Sequence, residues 1–233
     1  MLTRTRTEAG RALRGLLSRR LGGRPADPVE VARDLVHGGC RIALEYVPGP
    51  GESPVAALLG LVRRMSAADL ATACELTVPV GPDDDGGRTV AAAALDAGLA
   101  VVLAGPAVAV DAVELPGAGI VVPAGEPGAE ARCRALGGGH VRLVRGPGRG
   151  RATDLAFVRC LNVLMAEGGR PGIAVSDPRL IAIAGERAAW NGRAPDSWEL
   201  VMPYGVLIHE QRRLVAAGGT VRVAVTQVSG GRS

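Results

Sequence analysis

From residue 40 onward the chain alternates between short apolar runs and segments with a helical period. The runs are Arg41–Val47, Ala73–Val80, Ala100–Ala104, Ala118–Ala124, Val141–Val144, Pro171–Val175, Glu199–Met202 and Thr220–Thr226. Most are rich in Val, Ile and Leu and bounded by Gly, Pro or Asp, the pattern of parallel strands buried on both faces. Between them a 3.6-residue period predicts helices over Ser53–Met65, Thr89–Ala97, Ala129–Leu136, Thr153–Glu167, Pro178–Asn191 and Leu207–Ala217. The interval Gly105–Pro116 is too short and broken for a full helix. Gly81–Arg88, with Asp83, Asp84 and Asp85, reads as a solvated polar loop; no other carboxylate has a reason to converge on it and make a metal site. Eight strands with mostly helical connections fit a (β/α)8 TIM-like barrel better than an open sheet.

Residues 1–38 read as an N-terminal helical segment and 39–233 as the barrel domain. Thr3–Gly22 is an amphipathic helix candidate, with Leu13, Leu16, Leu17 and Leu21 on one face and arginines mostly on others. A basic helix of this kind binds membranes or acidic partners, or packs its leucines on the parent domain. The second use is favoured, and peripheral membrane contact stays open. A second helix has Asp27 as N-cap and Pro28 in its first turn, runs to His37 and stops at Gly38-Gly39. The sequence ends at Ser233, soon after the last strand, so the final barrel helix is expected to be missing. Uncovered apolar faces on the first and eighth strands would then call for a homo-oligomer, a protein partner or the N-terminal leucines.

Composition narrows the chemistry. All 27 basic residues are arginine, and the chain has no lysine. That excludes a lysine Schiff base and a P-loop lysine. The net charge of +4 is modest and aromatic residues are only 2%, which argues against nucleic acid as a partner. Cys40, Cys74, Cys133 and Cys160 form no CxxC pair and read as reduced, buried thiols. His37, His140 and His209 lie far apart in no metal-binding pattern, so no metal site is expected. No apolar run of about 18 residues suggests a membrane span and Met1–Leu21 is unlike a secretory signal, so a cytoplasmic protein is expected.

Residues Gly169–Val223 read GGRPGIAVSDPRLIAIAGERAAWNGRAPDSWELVMPYGVLIHEQRRLVAAGGTVRV. They resemble the C-terminal half of a proline dehydrogenase. That family has a strand ending Thr-His-Asp or Thr-His-Asn, a helix beginning Pro-Arg-Leu-Ile, a Gln-Met-Leu-Tyr-Gly strand end and an Arg-Val-Tyr-Val-Pro strand. Val141–Gly146 (VRLVRG) is similar to its Val-Arg-Leu-Val-Lys-Gly strand, Arg41–Val47 (RIALEYV) to its first strand, and Glu75–Val80 (ELTVPV) stands where it has Lys-Leu-Thr. The resemblance runs over roughly residues 28–227 and is weakest between 80 and 125. It implies a distorted barrel holding FAD at the C-terminal ends of its strands, and hydride transfer from L-proline to the flavin, giving 1-pyrroline-5-carboxylate.

Position by position, the resemblance assigns flavin contact to Arg142, Arg145, Gly146 and Asp177, provided flavin is bound at all. Arg142 matches the arginine beside the flavin ring, Arg145 replaces a lysine, and Asp177 serves equally well as the N-cap before Pro178. Elsewhere most of the family's residues are gone, although Tyr204 and Gly205 of the Gln-Met-Leu-Tyr-Gly strand end remain. Val175 and Ser176 replace Thr-His, Pro123, Ala124 and Gly125 replace Gln-Ala-Tyr, and Pro147 and Gly148 replace Ala-Tyr. Val201 replaces Gln, Gly105 and Pro106 fall where an acidic pair ends the third strand, and Glu75 stands in place of the catalytic lysine. The helix that carries the proline-binding arginine pair is not found. Each lost contact to a charged ligand is worth about 1.5–3 kcal/mol. Six together exceed the roughly 8 kcal/mol of micromolar binding. FAD is therefore expected to be absent or weakly bound, and the chain to act as a non-catalytic scaffold or regulatory homologue. The alternative is an active flavin oxidoreductase of proline or a related amine, with a rebuilt site or a helix supplied by a partner.

Overall fold

The computed structural model describes residues 27–49, 51–81, 85–111, 113–146 and 150–229. Eight parallel strands close into a barrel in sequential order: β1 (Arg41–Val47), β2 (Cys74–Pro79), β3 (Ala100–Ala104), β4 (Gly119–Pro123), β5 (Val141–Val144), β6 (Gly172–Ala174), β7 (Glu199–Pro203) and β8 (Val221–Val228). The described helices are α1 (Pro28–His37), α2 (Val55–Ala67), α3 (Asp85–Asp96), α4 (Ala107–Asp111), α5 (Ala129–Leu136), α6 (Arg151–Ala166), α7 (Pro178–Trp190) and α8 (Ile208–Ala216). The amphipathic stretch Thr3–Gly22 lies outside the described residues. No described helix is long and apolar enough to cross a membrane.

Side chains alternate in and out of the barrel wall. On the outside, Ile42, Leu44, Leu76, Val78, Val101 and Leu103 join one apolar core with α1 to α3. Leu143, Ile173, Leu200, Met202, Val221 and Val223 join another with α5 to α7, centred on Phe157 and Leu161. Of the four cysteines, all unpaired, Cys74, Cys133 and Cys160 are buried in these cores.

Two local readings change and a third holds. α1 packs across the outer faces of both β1 and β8, placing Val31 and Ala32 in the core that contains Ile42 and Val225. The gap expected at that seam is therefore covered by the short second helix. α3 begins at Asp85, four residues before the period predicts, inside what reads as a polar loop. Gly87 makes this possible, because a Cβ there would lie 2.9 Å from the Pro79 carbonyl. Ala107–Asp111 forms a single short helix where the sequence reads as too broken for a full one.

Candidate functional site

The inward-facing residues build the site. Pairing register sets Ala43 beside Glu75, Thr77 beside Val102, Val121 beside Arg142, Arg142 beside Gly172, Gly172 beside Glu199, and Val201 beside Arg222. The inner face of each strand therefore begins with a charged, histidine or small residue and continues with small or apolar ones. Val102, Ala104 and Val121, with Val144 against them, form a compact apolar cluster in the lumen. At the N-terminal half lies a buried ionic layer.

Glu75, fully buried at the second position of β2, is the hub. Arg142 reaches across from β5 to pair with it, donates to Thr77 Oγ1 at 2.8 Å and approaches Glu45 at 3.7 Å. Arg222 on β8 holds Glu199 with two contacts, Nε to Oε1 at 2.5 Å and Nη2 to Oε2 at 3.1 Å, and donates to the Ile42 carbonyl. Arg222 also lies 3.8 Å from Glu75, and Arg41 lies 3.6 Å from Glu199. Glu45, Glu75 and Glu199 thus share one lumen with Arg142 and Arg222, while Arg41, 42% exposed, pairs at the rim, a balance that makes burying charge tolerable.

The shifts follow from this packing. Burial pushes the Arg142 guanidinium down to about 10, against the pull of Glu45, so it stays a cation at neutral pH. Burial also raises the Glu45 carboxyl, while Arg142 and the Thr226 hydroxyl pull the other way. Glu199 is pushed up by burial but pulled further down by Arg222, its net position lying below the usual carboxylate range. Burial holds the His140 imidazolium below the ordinary histidine range.

His140 precedes β5 and joins the same layer. Its Nδ1 lies 2.8 Å from the Arg170 carbonyl and its Nε2 lies 2.6 Å from Glu75 Oε2. Gly119 leaves room for the ring, since a Cβ there would sit 2.2 Å from His140 Cδ2. Spacing alone could not find this. His140 is 65 residues from Glu75 in sequence, and only barrel closure brings β2, β5 and β7 to one lumen. The available signal was a charged residue set at alternate positions inside otherwise apolar runs, as in CELTVP, VRLV, ELVMP and VRVAVTQV.

The four positions with a flavin-type assignment have separate partners. Arg142 is engaged by Glu75, Thr77 and Glu45. Arg145, just past β5, pairs with Asp154 on α6 at 2.6 Å. Asp177 is exposed and accepts from the Arg179 amide at 2.9 Å, capping α7. Gly146 has a φ of 78°, and a Cβ there would lie 3.0 Å from Pro123 Cβ. Pro147 and Gly148 lie outside the described residues.

The closed barrel, its layered interior and the helix order can be set against solved structures. Proline utilization A from Bdellovibrio bacteriovorus, inactivated by N-propargylglycine, aligns with a TM-score of 0.73 and 15% identity over 88% of this chain. The protein from Corynebacterium freiburgense aligns with a TM-score of 0.65 and 15% identity over 85%, and a variant of the Bradyrhizobium japonicum protein with 0.60 and 16% over 82%. The chain has a proline dehydrogenase-like barrel fold. It spans 30% of the Bdellovibrio chain and 27% of each of the other two. No protein-family profile and no curated protein sequence matches it.

In this proline dehydrogenase-like barrel the positions that the resemblance assigns to flavin and substrate are paired within the chain or apolar. The guanidinium that would face the ring is buried and ion-paired with the carboxylate standing in the lysine's place. Pro123 and Val201 offer no side-chain donor to the lumen, and Asp177 turns to its own helix.

Proposed function

We propose that this chain is a divergent proline dehydrogenase-like protein in which the flavin and proline sites have eroded, serving as a non-catalytic scaffold or regulatory homologue. The observation that carries the reading is the Glu75–Arg142 pair in the barrel centre. A charge reversal at the lysine position has turned the flavin-side arginine inward to a structural partner. Returning Arg142 to a ligand would leave Glu75 buried without its closest cation, a loss of about 3–5 kcal/mol by analogy with broken buried pairs. A protein of this kind acts through contacts, so self-association or a protein partner belongs to the reading. A cytoplasmic location, where its four unpaired cysteines would stay reduced, belongs to it as well.

Purification under conditions that retain FAD, followed by an absorbance spectrum, tests the first half. The expected result is no flavin band, and no L-proline-dependent dye reduction after FAD is added. A band near one flavin per chain, with turnover that disappears in Arg142→Ala, would establish the active alternative instead.

A further inference from the structure

Glu75, His140 and Glu199 each present one ligand atom to a common point, all within 4.8 Å of one another, at the N-terminal mouth of the barrel. We propose that this point is a binding site for a divalent transition-metal ion of the Zn²⁺ or Co²⁺ type, held by His140 Nε2 and one oxygen from each glutamate. The ion would tie β2, β5 and β7 together at the N-terminal ends of their strands, directly beside Arg142.

The tautomer of His140 supports the site. A carbonyl only accepts, so Nδ1, 2.8 Å from the Arg170 oxygen, is the nitrogen that carries hydrogen in the neutral ring. Nε2 is then a bare lone pair 2.6 Å from a carboxylate oxygen, and two acceptors at that distance need a positive centre between them. A backbone carbonyl on the far nitrogen is also the arrangement that orients metal-binding histidines. A proton would also satisfy Nε2 and Glu75, whereas an ion would in addition engage the nearby Glu199 carboxylate that Arg222 holds in place. One imidazole with two carboxylates suits a borderline ion better than Ca²⁺ or Mg²⁺, which take oxygen. Ligand bonds of about 2.0–2.2 Å set donor atoms roughly 3–3.5 Å apart, so Nε2 and Glu75 Oε2, now 2.6 Å apart, would open while the wider separations draw in. His140 keeps a quarter of its side chain exposed (26%), which provides the entry path and a solvent position on the ion.

The arginines set the strength of binding. Arg142 holds Glu75, while Arg222 and Arg41 hold Glu199. A carboxylate offers about four lone-pair sites, so a two-point guanidinium contact leaves others for an ion. The three cations orient the ligands but oppose a fourth positive centre. Affinity is therefore expected in the micromolar range rather than that of closed structural zinc sites.

The test titrates the untagged full chain with ZnCl₂ and CoCl₂ by calorimetry up to about 1 mM free ion, a bound corresponding to roughly 4 kcal/mol of binding. Saturation at one ion per chain is expected, with visible Co²⁺ bands and a rise in melting temperature. His140→Ala and Glu199→Gln should each weaken binding at least tenfold, while His209→Ala, outside the cluster, should leave it unchanged. If either first-named variant unfolds, the native chain still decides, through displacement of the His140 imidazole nitrogen resonances on Zn²⁺ addition. Absence of saturable binding by the native chain overturns the proposal, leaving a protonated bridge. Unaltered binding by folded His140→Ala overturns it too.

Discussion

Charges buried in a lumen act as a set, so the cost of changing one depends on what remains. Glu75→Leu leaves Arg142 with only the more distant Glu45 carboxylate at 3.7 Å, and Arg142→Met leaves Glu75 without its closest partner. Each is expected to cost about 3–5 kcal/mol, whereas the double replacement should cost clearly less than their sum. Urea denaturation of the four proteins measures the coupling; strict additivity would mean that the two groups do not interact. The same layer sets the acid limit. The folded pKa of Glu199 lies below its ordinary value of 4.5, so its carboxylate form is favoured by folding. The stability it contributes is present above about pH 4.5 and is lost as pH falls through the folded value. Urea midpoints between pH 7 and pH 3 should therefore fall, and the drop should be smaller in Glu199→Gln, where that group no longer titrates.

At the scale of elements, end signals and close approaches determine what each segment can accept. Asp27 and Asp177 each cap a helix that begins with proline, accepting from the Val29 and Arg179 amides at 2.9 Å. Asp177→Ala should cost about 1 kcal/mol through the lost cap alone. Its effect on thermal stability should therefore be the same with and without added FAD. A flavin-dependent difference would return Asp177 to the cofactor. Gly119 is a stricter position. A methyl group there meets the His140 ring and carbonyl, at 2.2 and 2.8 Å, so Gly119→Ala should push the imidazole from Glu75 and destabilise the junction of β4 and β5. Helix α1, by contrast, is important for its apolar face. Val31→Asp would bury an unpaired carboxylate at the β1–β8 seam and should lower the melting temperature by many degrees.

For the whole molecule, closure of the sheet is the decisive event, and it separates what the chain's letters determine from what they leave open. Alternating apolar runs and helical periods suffice for eight strands, their order and most helix limits, because periodicity reports which face of a segment is buried. Arg41–Val47, Ala100–Ala104 and Val141–Val144 are strands at the very limits that the pattern predicts, and Pro28–His37 and Ala129–Leu136 are helices at theirs. The motifs around Val141–Gly146 and Gly169–Val223 further suffice for the kind of barrel, since strand-end sequences carry the register of the fold. Tertiary structure alone decided which charged residues meet. His140, Glu75, Glu199 and Arg222 come from four strands or their edges, tens of residues apart. Their convergence depends on register around a closed ring, which no local window contains. It also decided that α1 would cover the seam between β1 and β8, because an amphipathic helix specifies that it needs a cover, and only the assembled wall specifies where.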